Sequence, residues 1–437
     1  MLAALDCDTS FGRLLSVFRG SFTRPSFTTF CAMVVGLVCQ VGERTVCGML
    51  TAAGMSTEWH HARAHRFFSQ AVWRLDDLGL QVLKLIETRL LDPGAPVRLV
   101  IDDTLFRRSG RKVADAFWQH DGAADASSGV GYGNNFVVLG VIVALPFMTR
   151  PMCLPLLFRI YRKGGPERTE LARELVWIAS TFLDKRRVEV VADGAYASAK
   201  FADLPECATM VSRLRGNAAL HKLAPPRTGK RGRPRVRGTR LPSLKDMALD
   251  RRRTWRTETI ARYGRTEQVQ VLTLVCLWYS VFGQRPVRVV LLRDLGSKKA
   301  FDFALVATDT DASPKQLIER YAQRWAIEVC FRDSKQVTGV GQARNRVKLA
   351  VERTVPFGLL VQTFVVIWYA TNGHNSSIVR ERRRLAPWYD QKREPSYQDM
   401  LTALRRQLIT DRFSATRHQT VAPTEIPIPE WMLAMAA

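Results

Sequence analysis

Between Ser313 and Gly339, in SPKQLIERYAQRWAIEVCFRDSKQVTG, one acid is flanked by two cations and a phenol. Ser313 followed by Pro314 and Gln316 is a helix start, because a serine hydroxyl caps free amides and proline suits the first turn. Gly339 is the matching stop. The pattern predicts one helix, on which Tyr321, Arg324, Glu328 and Lys335 fall at roughly 0°, 300°, 340° and 320° when each residue turns about 100°. All four share a narrow face. The plainest reading is a surface ladder of Arg324, Glu328 and Arg332, worth a few tenths of a kcal/mol per pair.

The elements upstream offer further carboxylates. A β-rich run, Val97 to Ile101, ends in Asp102 and Asp103 after a boundary at Pro93, Gly94 and Pro96. Strands are expected at 136–145 and 154–161, a helix at 166–183, a buried strand at 188–192 that runs into Asp193, and another strand near 208–214. The glycine-rich GVGYGNN at 129–135 lacks P-loop spacing and reads as a turn. Asp309 and Asp311 precede a helix and read as partners of its N-terminus.

The spacing Y-(2)-R-(3)-E-(6)-K, with Trp325 after the arginine, resembles the Y-R-E-K signature of bacterial insertion-sequence transposases of the DDE class. The strand order resembles their RNase H-like core, in which the strands ending at Asp102 and Asp193 are central neighbours. The resemblance implies an α/β fold: an RNase H-like catalytic core interrupted by a basic β-rich insertion, with a helical N-terminal domain and a helical C-terminal region. It further implies a DNA transposase whose catalytic and metal-binding residues are Asp102, Asp193 and Glu328. Asp102 fits the family's D-x-T pattern with Thr104, and Asp103 is a second candidate metal ligand. Mg²⁺ would be the cofactor, with Mn²⁺ as the alternative, and Tyr321, Arg324 and Lys335 would hold DNA phosphates. Because two ends must be cut together, transposon ends and target duplex are the expected partners of a DNA-bound homodimer. The competing readings are a non-enzymatic DNA-binding protein derived from a transposase and another RNase H-like nuclease.

Composition agrees with a nucleic-acid partner. The 437 residues carry a formal charge of +25 and are 46% hydrophobic, so a globular, polyanion-binding chain of two or three domains is expected. The expected units are a helical DNA-binding domain (1–95), a first core part (96–214), a basic linker and β-rich insertion (215–297), a second core part (298–372) and a basic helical tail (373–437). The first unit is nearly neutral. From Arg213 to Arg256 there are 15 basic and 2 acidic residues. Within that run Lys230, Arg231, Arg233 and Arg235 are candidate DNA contacts, and RGRP at 231–234 resembles the core of an AT-hook. Alternation at 254–262, 268–278 and 287–292 predicts a small antiparallel sheet, with Trp255 in its core rather than stacked on a base. The eight cysteines form no C-x-x-C pair, and His60, His61 and His65 read as a packed cluster rather than a metal site. The N-terminus lacks a secretory pattern, and the apolar runs at 30–39 and 355–370 fall short of a clear membrane span. A cytoplasmic bacterial protein is expected.

Overall fold

The apolar runs at 97–101 and 188–192 become β1 (Val97–Arg107) and β5 (Val188–Ala192), paired in parallel with Ile101 beside Ala192. Both runs are fully buried except at Arg98, as expected for parallel strands covered on two faces. The structure is a computed structural model that describes residues 9–122, 129–184, 186–226 and 233–417. Around the central pair, β3 (Val130–Val143) and β4 (Met152–Tyr161) add antiparallel strands on one side, and β6 (Ala208–Arg213) adds a parallel strand on the other. The order β4-β3-β1-β5-β6 puts the ends of β1 and β5 at the middle of the sheet.

The predicted insertion sheet is not separate. After α8 (Leu244–Leu249), the strands β7 (Arg256–Arg262), β8 (Arg265–Cys276) and β9 (Val287–Asp294) pair in sequence. β10 (Phe303–Ala307) then joins β9 to β6, so the whole set extends the central sheet. The exposed edge of β6 is thereby covered, which removes a row of unpaired backbone groups. With β2 (Phe117–His120) on β3, the sheet has ten strands. Trp255 is half-buried against this extension, with Arg293 over its ring at 4.3 Å, as the packing reading requires.

The glycine-rich run is another correction, since residues 130–135 lie inside β3 instead of forming a turn. A Cβ on Gly133 would sit 2.2 Å from the Phe106 carbonyl oxygen. Glycine here permits two strands to approach closely.

Ahead of β1 lie the helices α1 (Ser10–Ser16), α2 (Arg24–Cys39), α3 (Val46–Ala52), α4 (Ala62–Ser69) and α5 (Leu75–Arg89). They share one hydrophobic core with the sheet, because α5 lies on β4 so closely that a Gly79 Cβ would meet the Leu156 carbonyl oxygen at 2.1 Å. α6 (Arg168–Phe182) packs on β1, β3 and β4. A long apolar helix, α12 (Lys348–Trp368), contacts α4, α5 and β4. By length and composition it could cross a membrane, a longer element than the sequence suggested. Its apolar surface is instead buried inside the fold. Two helices close the described chain: α13 (Ser377–Leu385) and α14 (Tyr397–Arg417).

The stretch from Ser313 is where local structure departs most from expectation. Ser313 and Gln316 form the expected capping box, and Gly339 leaves the helix at φ +70°. Between them, however, lie two helices, α10 (Pro314–Ala322) and α11 (Trp325–Gln336). At the junction the amides of Arg324, Ala326 and Ile327 bond three residues back, a tighter turn than the α-helix. No glycine or proline marks this break.

Candidate active site

Asp102 lies within β1, one residue beyond Ile101, and Asp193 follows β5 at the corresponding level beyond Ala192. α11 packs on β1 and carries Glu328 in its first turn. Arg324 joins the parts: Nη1 donates to Asp102 Oδ2 at 3.0 Å, and Nη2 donates to Glu328 Oε1. Two residues along β1 on the same face, Thr104 Oγ1 accepts from Lys335 Nζ at 2.7 Å. Thus the D-x-T pattern has a geometric meaning, since alternate strand residues meet the arginine and the lysine of one helix. The i,i+4 pair of Arg324 and Glu328 is present, but Arg332 turns to Asp333 and does not extend the ladder.

Asp103 points to the opposite face because a strand alternates. Tyr196 Oη donates to its Oδ1 at 3.0 Å, Asn135 Nδ2 to its Oδ2 at 2.8 Å, and Arg168 Nε lies 3.2 Å from Oδ2. Its lone pairs are committed there, away from Glu328. In the structure Asp103 thus faces Tyr196, Asn135 and Arg168, whereas Asp102 faces Arg324.

Burial pushes the Asp102 carboxyl up to about 7; Arg324 opposes the shift, while Asp103 and Asp193 add to it. Burial disfavours the Arg324 charge, yet Asp102, Tyr321, Glu328 and Asp193 hold its pKa above the ordinary guanidinium value. Burial raises the Tyr321 hydroxyl, whose ring lies 5.9 Å from the Arg324 guanidinium, and lowers the Lys335 ammonium. Three carboxylates therefore share one buried guanidinium, an environment that favours further positive charge. Their oxygen atoms are of the type hard divalent ions take. Among the described residues, no three potential ligands close on one point, and the guanidinium stands between Asp102 and Glu328. The residue types fit divalent metal, provided Arg324 yields its place.

A second set of charges, absent from the sequence reading, fixes this geometry. Glu189 is buried in β5, four residues before Asp193. It receives Arg98 of β1 at 2.7 Å and Arg320 of α10 at 2.9 Å. Arg320 also meets Asp309 at 3.0 Å, and Arg98 donates to Gln323 at the helix junction. Asp309 accepts the amides of Asp311 and Ala312, in the turn ahead of α10, while the N-cap of that helix is Ser313. A charged residue within VEVVA was the available signal for Glu189, since a buried charge demands partners.

Of the candidate DNA contacts in the basic run, Lys230 and Arg231 lie outside the described residues. Arg233 and Arg235 are exposed. The histidines pack together, with rings of His60 and His61 4.3 Å apart and His65 3.3 Å from Cys47 Sγ.

A parallel strand pair whose pairing stops one residue before Asp102 and Asp193, with a helix that carries Glu328 packed on β1, belongs to a mixed α/β protein consistent with an RNase H-like nuclease fold. The model of the DDE superfamily endonuclease family matches residues 17–273, more than half of the chain, and the chain belongs to that family. The match includes Asp102 and Asp193 and ends before Glu328. No curated protein matches the chain significantly. Membership brings a nuclease or transposase type of function, with DNA as substrate and divalent metal as cofactor.

Proposed function

We propose that this chain is a cut-and-paste DNA transposase of the Y-R-E-K group, which cleaves insertion-sequence ends and joins them to target DNA. The observation that carries the reading is the meeting of Asp102 and Glu328 through Arg324, beside Asp193. Asp102, Asp193 and Glu328 would hold Mg²⁺, or Mn²⁺, which supplies an activated water and charge stabilisation at the leaving oxygen. Arg324 can fork onto a phosphate once its carboxylates are otherwise neutralised, and Lys335 adds a point charge from the same helix. Tyr321, packed against Phe303, offers a hydroxyl beside Arg324 to orient a phosphate oxygen. Asp103 holds Tyr196 and Arg168 and so fixes the turn that follows Asp193. The helical block and the basic run, including Lys230, Arg231, Arg233 and Arg235, supply DNA affinity, and two protomers pair two ends.

The test is Mg²⁺-dependent nicking of a labelled duplex carrying the inverted repeats that flank the gene. Alanine at Asp102, Asp193 or Glu328 should abolish nicking while leaving DNA binding in place. Full activity in Asp193→Ala or Glu328→Ala would sink the assignment.

A further inference from the structure

α13 carries Arg380, Arg382, Arg383 and Arg384 and buries no residue. Arg380, Arg383 and Arg384 stand three and four positions apart on one exposed face, where like charges repel by a few tenths of a kcal/mol per pair. Among the described residues these three have no acidic partner. The nearby acid is already used: Glu381 accepts from Arg406 of α14 at 2.7 and 2.8 Å, which docks the helix with its arginines outward. At the end of α13 Leu385 is 50% exposed, and just beyond it Trp388 is 75% exposed and Tyr389 53%. Trp388 and Tyr389 line a cavity of about 440 Å³ together with Arg382 and Lys392. Lys392 is paired with Asp399 at 2.7 Å, so the other arginines provide the free charge.

The place of this patch separates it from the carboxylates. His374 stacks on Phe147 at 4.1 Å, and Glu394 accepts the Thr149 amide at 2.9 Å, both in the β3–β4 connection. That connection leaves the sheet where Val141 faces Leu99, before β1 reaches Asp102. A patch of repelling arginines around large exposed aromatic rings is stabilised by a polyanion that also offers flat surfaces.

We infer that residues 380–393 form a second DNA-binding surface, which grips the backbone of a duplex length lying outside the cleaved bond, with Trp388 against a sugar or an unstacked base. This rests on the reading of DNA as the substrate. The surface holds the DNA by its phosphates and lends the transposase grip without contributing to cleavage.

The experiment uses the full chain, with binding of a random 30-base-pair duplex measured by fluorescence anisotropy from low to moderate salt in EDTA. Replacing Arg380, Arg383 and Arg384 by alanine should lower the slope of log affinity against log salt by roughly 2 to 3, at about 0.9 per phosphate contact. Trp388→Ala should weaken binding severalfold, more for a duplex with an unpaired base than for an intact one. Thermal unfolding should match the parent, since these side chains support nothing in the fold. An unchanged slope in the triple variant overturns the inference while leaving the transposase reading standing. Loss of self-association with unchanged DNA affinity also overturns it, in favour of a protein interface. Failure of the parent chain to bind duplex at any salt would instead remove the functional reading beneath it.

Discussion

Replacing Arg324 by alanine should weaken the metal-free protein and strengthen its response to metal. The side chains of Arg324 and Asp102 are 15% and 20% exposed, so their pairing is largely shielded from water. Breaking such a pair by removing one partner costs about 3–5 kcal/mol. The cost depends on pH. With its pKa in the folded chain raised above the unfolded value, Asp102 stabilises the fold least when ionised, and stability falls as pH climbs from about 4 through about 7. Without Arg324 the carboxyl rises further, so the loss should be greater at pH 8 than at pH 6. At roughly 2.1 cal/mol/K per residue, a 437-residue chain shifts by about 1 °C per kcal/mol, which places the Tm loss at about 3–5 °C at pH 8. Added Mg²⁺ no longer competes with the guanidinium for Asp102 and Glu328, so its stabilisation should exceed that of the parent. A ligand at 100 times its Kd contributes about 2.7 kcal/mol, about 3 °C here. The assay is scanning fluorimetry at pH 6 and 8, with and without Mg²⁺. Equal Mg²⁺ shifts in parent and variant, together with equal losses at the two pH values, would refute the idea that arginine and metal compete for one place.

Three further outcomes are expected. Arg353 is buried in α12, stacks on Trp73 at 4.3 Å and donates to the carbonyls of Ala71 and Trp73, so Arg353→Met should leave those acceptors unmet and cost about 1–3 kcal/mol per carbonyl by chemical denaturation. Gly79→Ala should force α5 off β4 at a cost of roughly 1–3 kcal/mol and lower one common unfolding transition; a separate early transition for the helical block would contradict the shared core. Light scattering should show the +25 chain as a monomer or weak oligomer alone at moderate salt and as a dimer with two end-bearing duplexes, and a cleavage-competent complex of one protein with one end through strand transfer would contradict the paired-end mechanism.

The parts of the fold legible in the sequence were those with strong local patterns. The run at 188–192 gave its strand to the residue, because four apolar side chains around one charge, bounded by Arg187, Asp193 and Gly194, admit little else. Asp102 could be preferred to Asp103 only through the D-x-T resemblance; alternation in β1 supplies the physical reason, by turning Asp102 and Thr104 toward α11. Residues 130–135 were misread because glycine marks both turns and close strand approaches, and only the Phe106 carbonyl distinguishes them. The insertion strands were found but their neighbour was not, since alternation fixes a strand's faces and leaves its sheet undetermined. Gly36 and Gly79 in the helical block likewise gave no sign of the carbonyls of Met49 and Leu156 that require them.

The break between α10 and α11 has its cause outside the local sequence, and that cause bears on the site. On α10, Arg320 reaches the buried Glu189, while Gln323 at the junction meets Arg98. Arg324, next in the chain, must reach Asp102 and Glu328. A continuous α-helix would place positions 320, 323 and 324 on one face at fixed spacing. The tighter turn instead lets 320 and 323 hold the strands beneath while 324 reaches between the carboxylates. β1 supplies both Arg98 and Asp102, and β5 supplies both Glu189 and Asp193, so the ion pairs register the two strands and the helix junction against each other. Asp102 and Asp193, the acids proposed for catalysis, are thus positioned by charges one layer away, whose burial makes any slip costly. The side chain that must move for a cation to sit between Asp102 and Glu328 is Arg324, which now donates to both.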